Sequence, residues 1–219
     1  EDNSGSTGRH REKEDAGLEH RGLGASKENY CRHCKKLGNY CRIDFMILSD
    51  RDIKKFISEG KIRISPAPDF EKQLGPCSLD LHLGDTMKVF KTSPYPYLDL
   101  KGTVEVEKLM DEIKVGEGGP FILQSGSFVL AITKEEFTLA DDLMGRLDGR
   151  SSLGRLGIVV HSTAARFDPG WSGKAVMELG NLGPMPVILY EGMRICALTF
   201  ETLSSPAEVP YGAKQTHKY

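Results

Sequence analysis

The stretch "SLDLHLGD", residues 78–85, puts Leu79, Leu81 and Leu83 on one side of an extended chain and Asp80 and His82 on the other. That period of two, closed by a Gly turn, is the signature of a half-buried β-strand. The pattern recurs. "PFILQSGSFVLAITKEEFTL" reads as two strands around Ser125-Gly126, "GIVVHSTAARFDPGWSGKAVMELGNLG" as strand, turn, strand, and "MPVILYEGMRICALTFETL" as another pair around Glu191-Gly192. Many short strands at close spacing, broken by Gly and Pro, can bury their apolar faces only as a sandwich or a barrel. The clear helical pattern is "MILSDRDIKKFISEGKIRI": Ser49 is the N-cap, Asp52 takes the capping-box position, Ile53, Phe56 and Ile57 share a face, and Gly60 ends the helix.

Residues 1–45 lack this patterning. "EDNSGSTGRHREKEDAGLEHRGLGASKEN" is polar, charged and rich in Gly and Ser, so a disordered arm is expected there, with one folded domain over 46–219. The whole chain has 219 residues, is 39% hydrophobic and carries a formal net charge of -2. That supplies a core and provides no overall basic field for nucleic acid. No apolar run approaches membrane-spanning length and no signal-peptide pattern opens the chain, so the expected location is the cytoplasm.

The five cysteines, Cys31, Cys34, Cys41, Cys77 and Cys196, are odd in number and two of them are isolated in apolar contexts, which argues against a secreted disulfide framework; Cys77 and Cys196 read as small core residues. In the arm, His10-Arg11-Glu12 with Cys31-Arg32-His33-Cys34 superficially matches the H-x-E…P-C-x-x-C pattern of zinc deaminases. No Pro precedes Cys31, and both halves lie outside the folded part. Cys31, Cys34 and Cys41 with His33 or His20 have knuckle-like spacing for a structural zinc, but the second half of a Cys₂–Cys₂ pair is missing, and a solvated tail is the plainer reading.

The chemistry-bearing stretch is "GRSSLGRLGIVVHSTAARFDPGWSGKAVMEL". Gly149 permits tight backbone geometry and Gly154 close approach. Arg150 and Arg155 offer forked donors suited to phosphate oxygens, and Ser151, Ser152 and the local N–H groups add short donors in a nest-like anion site. Taken alone, the run reads more simply as a polar turn with two surface arginines. A second cluster, Arg166 and Asp168, follows a short apolar strand, and a hairpin there would bring both clusters to one pocket. On the next strand Ala175, Met177 and Leu179 face one way and Lys174, Val176 and Glu178 the other. Glu178 is then either solvent-facing or a partly buried acid able to exchange protons near neutral pH.

The same stretch resembles the central signature of dCTP deaminases, members of the trimeric dUTPase fold family. "MILSDRDI", "GPCSLDLHLGD", "SGSFVLAIT" and "ILYEGMRICALTFETLSSPAEVPYG" resemble its other motifs in the family's order, so the resemblance spans residues 46–219. It implies a mostly β fold, a distorted barrel of the dUTPase-like β-clip type with a few short helices, assembled as a homotrimer with active sites between subunits. It implies hydrolytic deamination of dCTP to dUTP and ammonia, supplying dUTP for thymidylate synthesis, without zinc and with Mg²⁺ carried by the triphosphate. By this resemblance Arg150, Ser151, Ser152, Leu153, Gly154 and Arg155 contact phosphates, and Arg166 also belongs to the substrate site. Asp168 accepts the 3′-hydroxyl, the backbone of Val176 and Met177 lines the base pocket, and Glu178 is the general acid/base. Ser151, Arg155 and the Ala164 carbonyl surround the water and the cytosine ring. Tyr211 and Lys218 close over the triphosphate.

Two features depart from the pattern or divide it. The sequence ends at "THKY", where the family usually continues into a glutamine-containing tail that folds over the nucleotide. Arg166 matches relatives that only deaminate, whereas "HST", residues 161–163, also resembles bifunctional deaminase–dUTPases. The alternatives are therefore a bifunctional enzyme releasing dUMP and pyrophosphate, a plain dUTPase, and a non-catalytic nucleotide-binding protein on the same fold. Glu178 speaks against the last, because a binding protein needs no proton shuttle.

Overall fold

The computed structural model describes residues 46–91, 106–116 and 119–213; the arm expected over 1–45 and Lys218 lie outside them. Helix α1 (Asp50–Ser58) begins as its sequence dictates. The Ser49 hydroxyl accepts from the Asp52 N–H at 3.3 Å and donates to the Asp52 carboxylate at 2.9 Å. The chain leaves the helix through Gly60 at φ +74°, the left-handed turn that glycine makes at little cost. Ile53 is fully buried, with Phe56 and Ile57 packed beside it.

Strands β1 (Ile62–Ser65), β2 (Leu79–Phe90), β3 (Met110–Lys114), β5 (Phe128–Leu139), β6 (Leu143–Gly149), β7 (Ile158–Val159), β8 (Arg166–Phe167), β9 (Ser172–Asn181) and β11 (Arg194–Thr202) form one antiparallel sheet. Its path is β7-β9-β5-β2-β11-β6-β8, with β1 on β5 and β3 on β2. β4 (Pro120–Leu123) and β10 (Val187–Tyr190) pair apart from it, and α2 (Phe70–Gln73) and α3 (Ser151–Gly154) are single turns. The two ends of the path, β7 and β8, are joined by residues 160–165 alone. Laid flat, six strand spacings would separate them by roughly 29 Å, more than that link spans when fully extended. The sheet must curl, and it closes its apolar face around Leu79, Leu81, Leu147, Met177, Leu198 and Phe200, each 1% exposed or less.

β2 makes the curl possible. Its first half pairs with β11 and its second with β5 and β3. The strand does not stop at the Gly84 turn expected from sequence; it runs on to Phe90. A Cβ at residue 84 would lie 2.8 Å from the Ile132 carbonyl oxygen, so glycine here allows β2 and β5 to press together where the register shifts.

The turns are where expected, but the pairings are not local. β4 and β5 flank Ser125-Gly126 yet do not pair, and neither do β10 and β11 around Glu191-Gly192. Instead β4 pairs with β10, Leu123 opposite Val187. Asn181 secures the end of β4: its amide donates to the Leu123 and Met185 carbonyls, at 3.0 and 2.8 Å. Cys196 is in the core as expected, but Cys77 is exposed, in the turn before β2. No helix among the described residues is long and apolar enough to cross a membrane.

Candidate active site

The Arg-Ser-Ser stretch begins where β6 ends. Gly149 is still paired with Cys196, Arg150 is the extended N-cap residue, and α3 follows. Leu153 packs against the core, while Ser151, Ser152, Gly154 and Arg155 face solvent. The side chains of Ser151, Ser152 and Arg155 make no hydrogen bond or ion pair among the described residues. Arg150 is held differently. Its Nε lies 3.3 Å from Asp80 Oδ2, and its Nη1 donates to the Arg194 carbonyl at 3.2 Å.

The close approach expected at Gly154 is not made by the protein, since nothing comes within 4 Å of a Cβ built there. It occurs three residues later. Gly157 has φ +86°, and its Cβ would sit 2.4 Å from the Gly183 nitrogen. Leu182 N–H donates to the Gly157 carbonyl across the same contact, so the end of the arginine turn is pinned to the loop after β9.

On β9 the alternation holds. Ala175, Met177 and Leu179 are buried, Val176 is exposed, and Glu178 is half-buried. Glu178 Oε2 accepts the Ser162 N–H at 2.6 Å, and the Glu178 N–H donates to the Val160 carbonyl, away from β5. Ala175 N–H, by contrast, points at β5, to Thr133 Oγ1. Backbone groups alternate sides along a strand, so the Val176 N–H and C=O also point away from β5. β7 covers only Gly180 and Asn181 on that side. Val176 therefore presents a donor and an acceptor on an open edge two residues from the carboxylate, whereas the corresponding groups of Met177 are turned to β5.

Ala164 is exposed on the segment that carries Ser162. In the following turn Arg166 Nε donates to Asp168 Oδ1 at 3.0 Å. Trp171 lies between Phe167 and Tyr211, with ring centroids 5.0 and 4.9 Å away. Tyr211 N–H donates to the Pro169 carbonyl, so this late residue sits on the turn that bears Asp168. The indole Nε1 of Trp171 and the imidazole Nδ1 of His161 are buried with no hydrogen-bond partner among the described residues.

The hairpin does not unite the two polar clusters within one chain. Arg146 is the residue opposite Arg166, so Arg150 and Asp168 are offset by six strand positions, roughly 20 Å. Four contributors escaped the sequence reading: Ser162, Asp80, Arg194 and the Gly157–Gly183 contact. Ser162 and Gly157 lay inside the quoted signature, but nothing local marks their partners. Asp80 and Arg194 are 70 and 44 residues from Arg150 and meet it only across β2, β11 and β6.

The protein is a curled antiparallel sheet that presents an arginine–hydroxyl turn and a strand-borne carboxylate beside an open backbone edge. A family model for dCTP deaminase-like domains matches residues 47–203. The chain is 59% identical over 174 residues to a protein named dCTP deaminase from Thermomicrobium roseum, covering 80% of this chain and 88% of that one. It is 52% identical over 174 residues to one named dCTP deaminase, dUMP-forming, from Dictyoglomus thermophilum, covering 80% and 89%. The chain belongs to the dCTP deaminase-like family. Its fold matches the crystal structure of 2'-deoxycytidine 5'-triphosphate deaminase from Agrobacterium tumefaciens, with a TM-score of 0.57 at 23% identity; the match covers 72% of this chain and 48% of that chain.

Proposed function

We propose that this protein hydrolyses dCTP to dUTP and ammonia, with Glu178 as the group that moves the protons. The observation that carries the reading is the half-buried Glu178 carboxylate, fixed by the Ser162 N–H at 2.6 Å beside the open backbone edge of Val176. A backbone N–H and C=O side by side complement a pyrimidine edge on which acceptors stand next to an amino donor. Glu178 takes a proton from water as the water oxygen bonds to C4, and delivers it to N3. It then takes the hydroxyl proton of the tetrahedral intermediate and delivers it to the amino nitrogen. The C4–N bond breaks, ammonia leaves, and C4=O forms. One carboxylate serves both transfers because it returns to its starting state after each. The Ser151 hydroxyl and the Ala164 carbonyl orient the water and the ring as dipoles, and the Arg155 guanidinium adds its positive charge beside them.

Arg150 and Arg155 hold the triphosphate, with Ser151, Ser152 and the α3 backbone, and Asp168 accepts the 3′-hydroxyl. Among the described residues no three His, Cys, Asp or Glu side chains group to hold a metal. The residues at the turn are instead cationic and hydroxyl-bearing, which fits Mg²⁺ arriving on the triphosphate and partly neutralising its charge. The roughly 20 Å offset between Arg150 and Asp168 supports a site completed between chains of a homotrimer, the arginine turn of one subunit facing Asp168 and Glu178 of another. Sedimentation showing an active monomer would overturn that assembly.

A second reading, deamination followed by release of dUMP and pyrophosphate, is favoured by the 52% identity to a dUMP-forming relative. Incubation of the purified protein with dCTP and Mg²⁺ separates the readings. We expect dUTP and ammonia; dUMP with pyrophosphate selects the bifunctional reading, and no turnover selects a nucleotide-binding protein.

A further inference from the structure

The phosphate arginine is not a free side chain, and its restraint comes from a residue distant in sequence. Asp80 lies on β2 and Asp148 on β6; both stand opposite Ala197 of the intervening β11. Two strand spacings, roughly 9.5 Å, separate their backbones. Arg150, two residues past Asp148, reaches back across that gap to Asp80 Oδ2 at 3.3 Å. The same oxygen meets Arg194 Nη1 at 3.3 Å, and Arg194 Nη1 also donates to the Lys72 carbonyl at 2.7 Å. One carboxylate thus stands between two guanidinium groups, leaving a net charge of +1.

Asp80 itself rests on a fixed floor. Gln73, 5% exposed, donates to the Asp80 carbonyl at 2.9 Å and to Glu135 Oε1 at 3.2 Å. Glu135, 2% exposed, in turn accepts the His82 N–H at 2.8 Å and pairs with His82 Nδ1 at 2.5 Å. A guanidinium has five N–H donors. In Arg150 the Nη1 donates to the Arg194 carbonyl and the Nε side stands in ion-pair contact with Asp80; among the described residues both donors of Nη2 remain, in a group whose side chain is 27% exposed.

We propose that Asp80 is the positioning residue of the phosphate site: it holds the Nε side of the Arg150 guanidinium so that the Nη2 edge is presented to the triphosphate, and Arg194 holds the carboxylate in place. The proposal rests on the reading of Arg150 as a phosphate ligand. A guanidinium held by one edge loses little conformational freedom on binding, so the affinity gained from its other edge is retained. Asp80 touches no substrate in this scheme; it acts through Arg150.

The test is a double-mutant cycle on dCTP affinity, measured by calorimetry with Mg²⁺ and paired with kcat and KM. Asp80→Asn should weaken dCTP by about tenfold, the order of one charge-assisted contact, raise KM similarly and leave kcat within about threefold. Binding of deoxycytidine should not change. In the Arg150→Ala background, Asp80→Asn should cost nothing more, because the group it positions is gone. An equal loss in both backgrounds, an equal loss for deoxycytidine, or unchanged dCTP affinity would overturn the proposal. Should Asp80→Asn fail to fold, Arg150→Lys provides the same test. It keeps the charge but has one donor head for two tasks, so it should lose most of what Arg150→Ala loses; wild-type affinity in that variant would overturn the proposal. Wild-type protein that binds dCTP without turning it over removes the proposed reaction but leaves the cycle readable. Wild-type protein that does not bind dCTP removes both.

Discussion

Replacing Glu178 by Gln separates a chemical role from a structural one. In the native protein Glu178 Oε2 accepts the Ser162 N–H at 2.6 Å. A glutamine carbonyl can accept the same bond, so what is lost is the charge, not the contact. A charge-assisted hydrogen bond is about twice as strong as a neutral one, and at this half-buried position the difference is about 1 kcal/mol or less. For a domain of this size that lowers Tm by roughly 2–4 °C. The neighbours Ala175, Met177 and Leu179 are untouched, so the strand and its pairing with β5 stay intact. Turnover should behave otherwise. An amide cannot take a proton from water or return one to N3 or the amino group, and a positioned acid/base is worth about 10²–10⁴-fold. We expect Glu178→Gln to lose at least about 10²-fold in kcat, near 2.7 kcal/mol of barrier, while dCTP affinity stays within a few-fold. Product formation, dCTP binding and thermal melting should be measured on one preparation. Turnover within tenfold of wild type in the folded variant would refute the mechanism. A large fall in Tm with a modest kinetic change would make Glu178 a structural residue.

Four further outcomes follow from particular positions. Arg150→Ala should weaken dCTP by roughly 10–100-fold, the range of a charge-assisted phosphate contact, and deoxycytidine hardly at all; equal loss for both, read by calorimetry, would contradict the phosphate assignment. Gly157→Ala forces a side chain onto φ +86° with its Cβ 2.4 Å from the Gly183 nitrogen, so denaturant melts should show a loss of at least about 2 kcal/mol. Gly154→Ala, with nothing within 4 Å, should change stability by about 0.5 kcal/mol or less. Burial, aided by the Glu135 and Asp80 carboxylates, pushes the Cys196 thiol far above its ordinary range, leaving almost no thiolate at pH 8. In the native protein maleimide should therefore label exposed Cys77 and spare Cys196, as peptide mass mapping would report, with Cys196 labelled only after unfolding.

The periodic parts of this protein were determined by sequence alone. Alternation in residues 79–83 and 174–179 assigns inward and outward faces because a strand has a period of two wherever it is placed. The Ser49 cap and the Gly60 exit mark α1 because capping is local. The arginine–hydroxyl turn and the outward Glu178 were legible for the same reason: residue type and parity were enough. What the sequence could not settle was partnership. Nothing local distinguishes a turn that joins a hairpin from the turn at Ser125-Gly126, whose flanking strands pair elsewhere, because pairing is decided by which buried faces can meet. Gly84 reads as a stop until β5 is seen pressing against it, and Cys77 reads as core until the turn before β2 is seen to lie outside. The offset of Arg150 from Asp168 follows from the β6–β8 register, which is fixed by packing. The grip of Asp80 on Arg150 exists only because β11 sets β2 and β6 two strand spacings apart, close enough for one arginine to span.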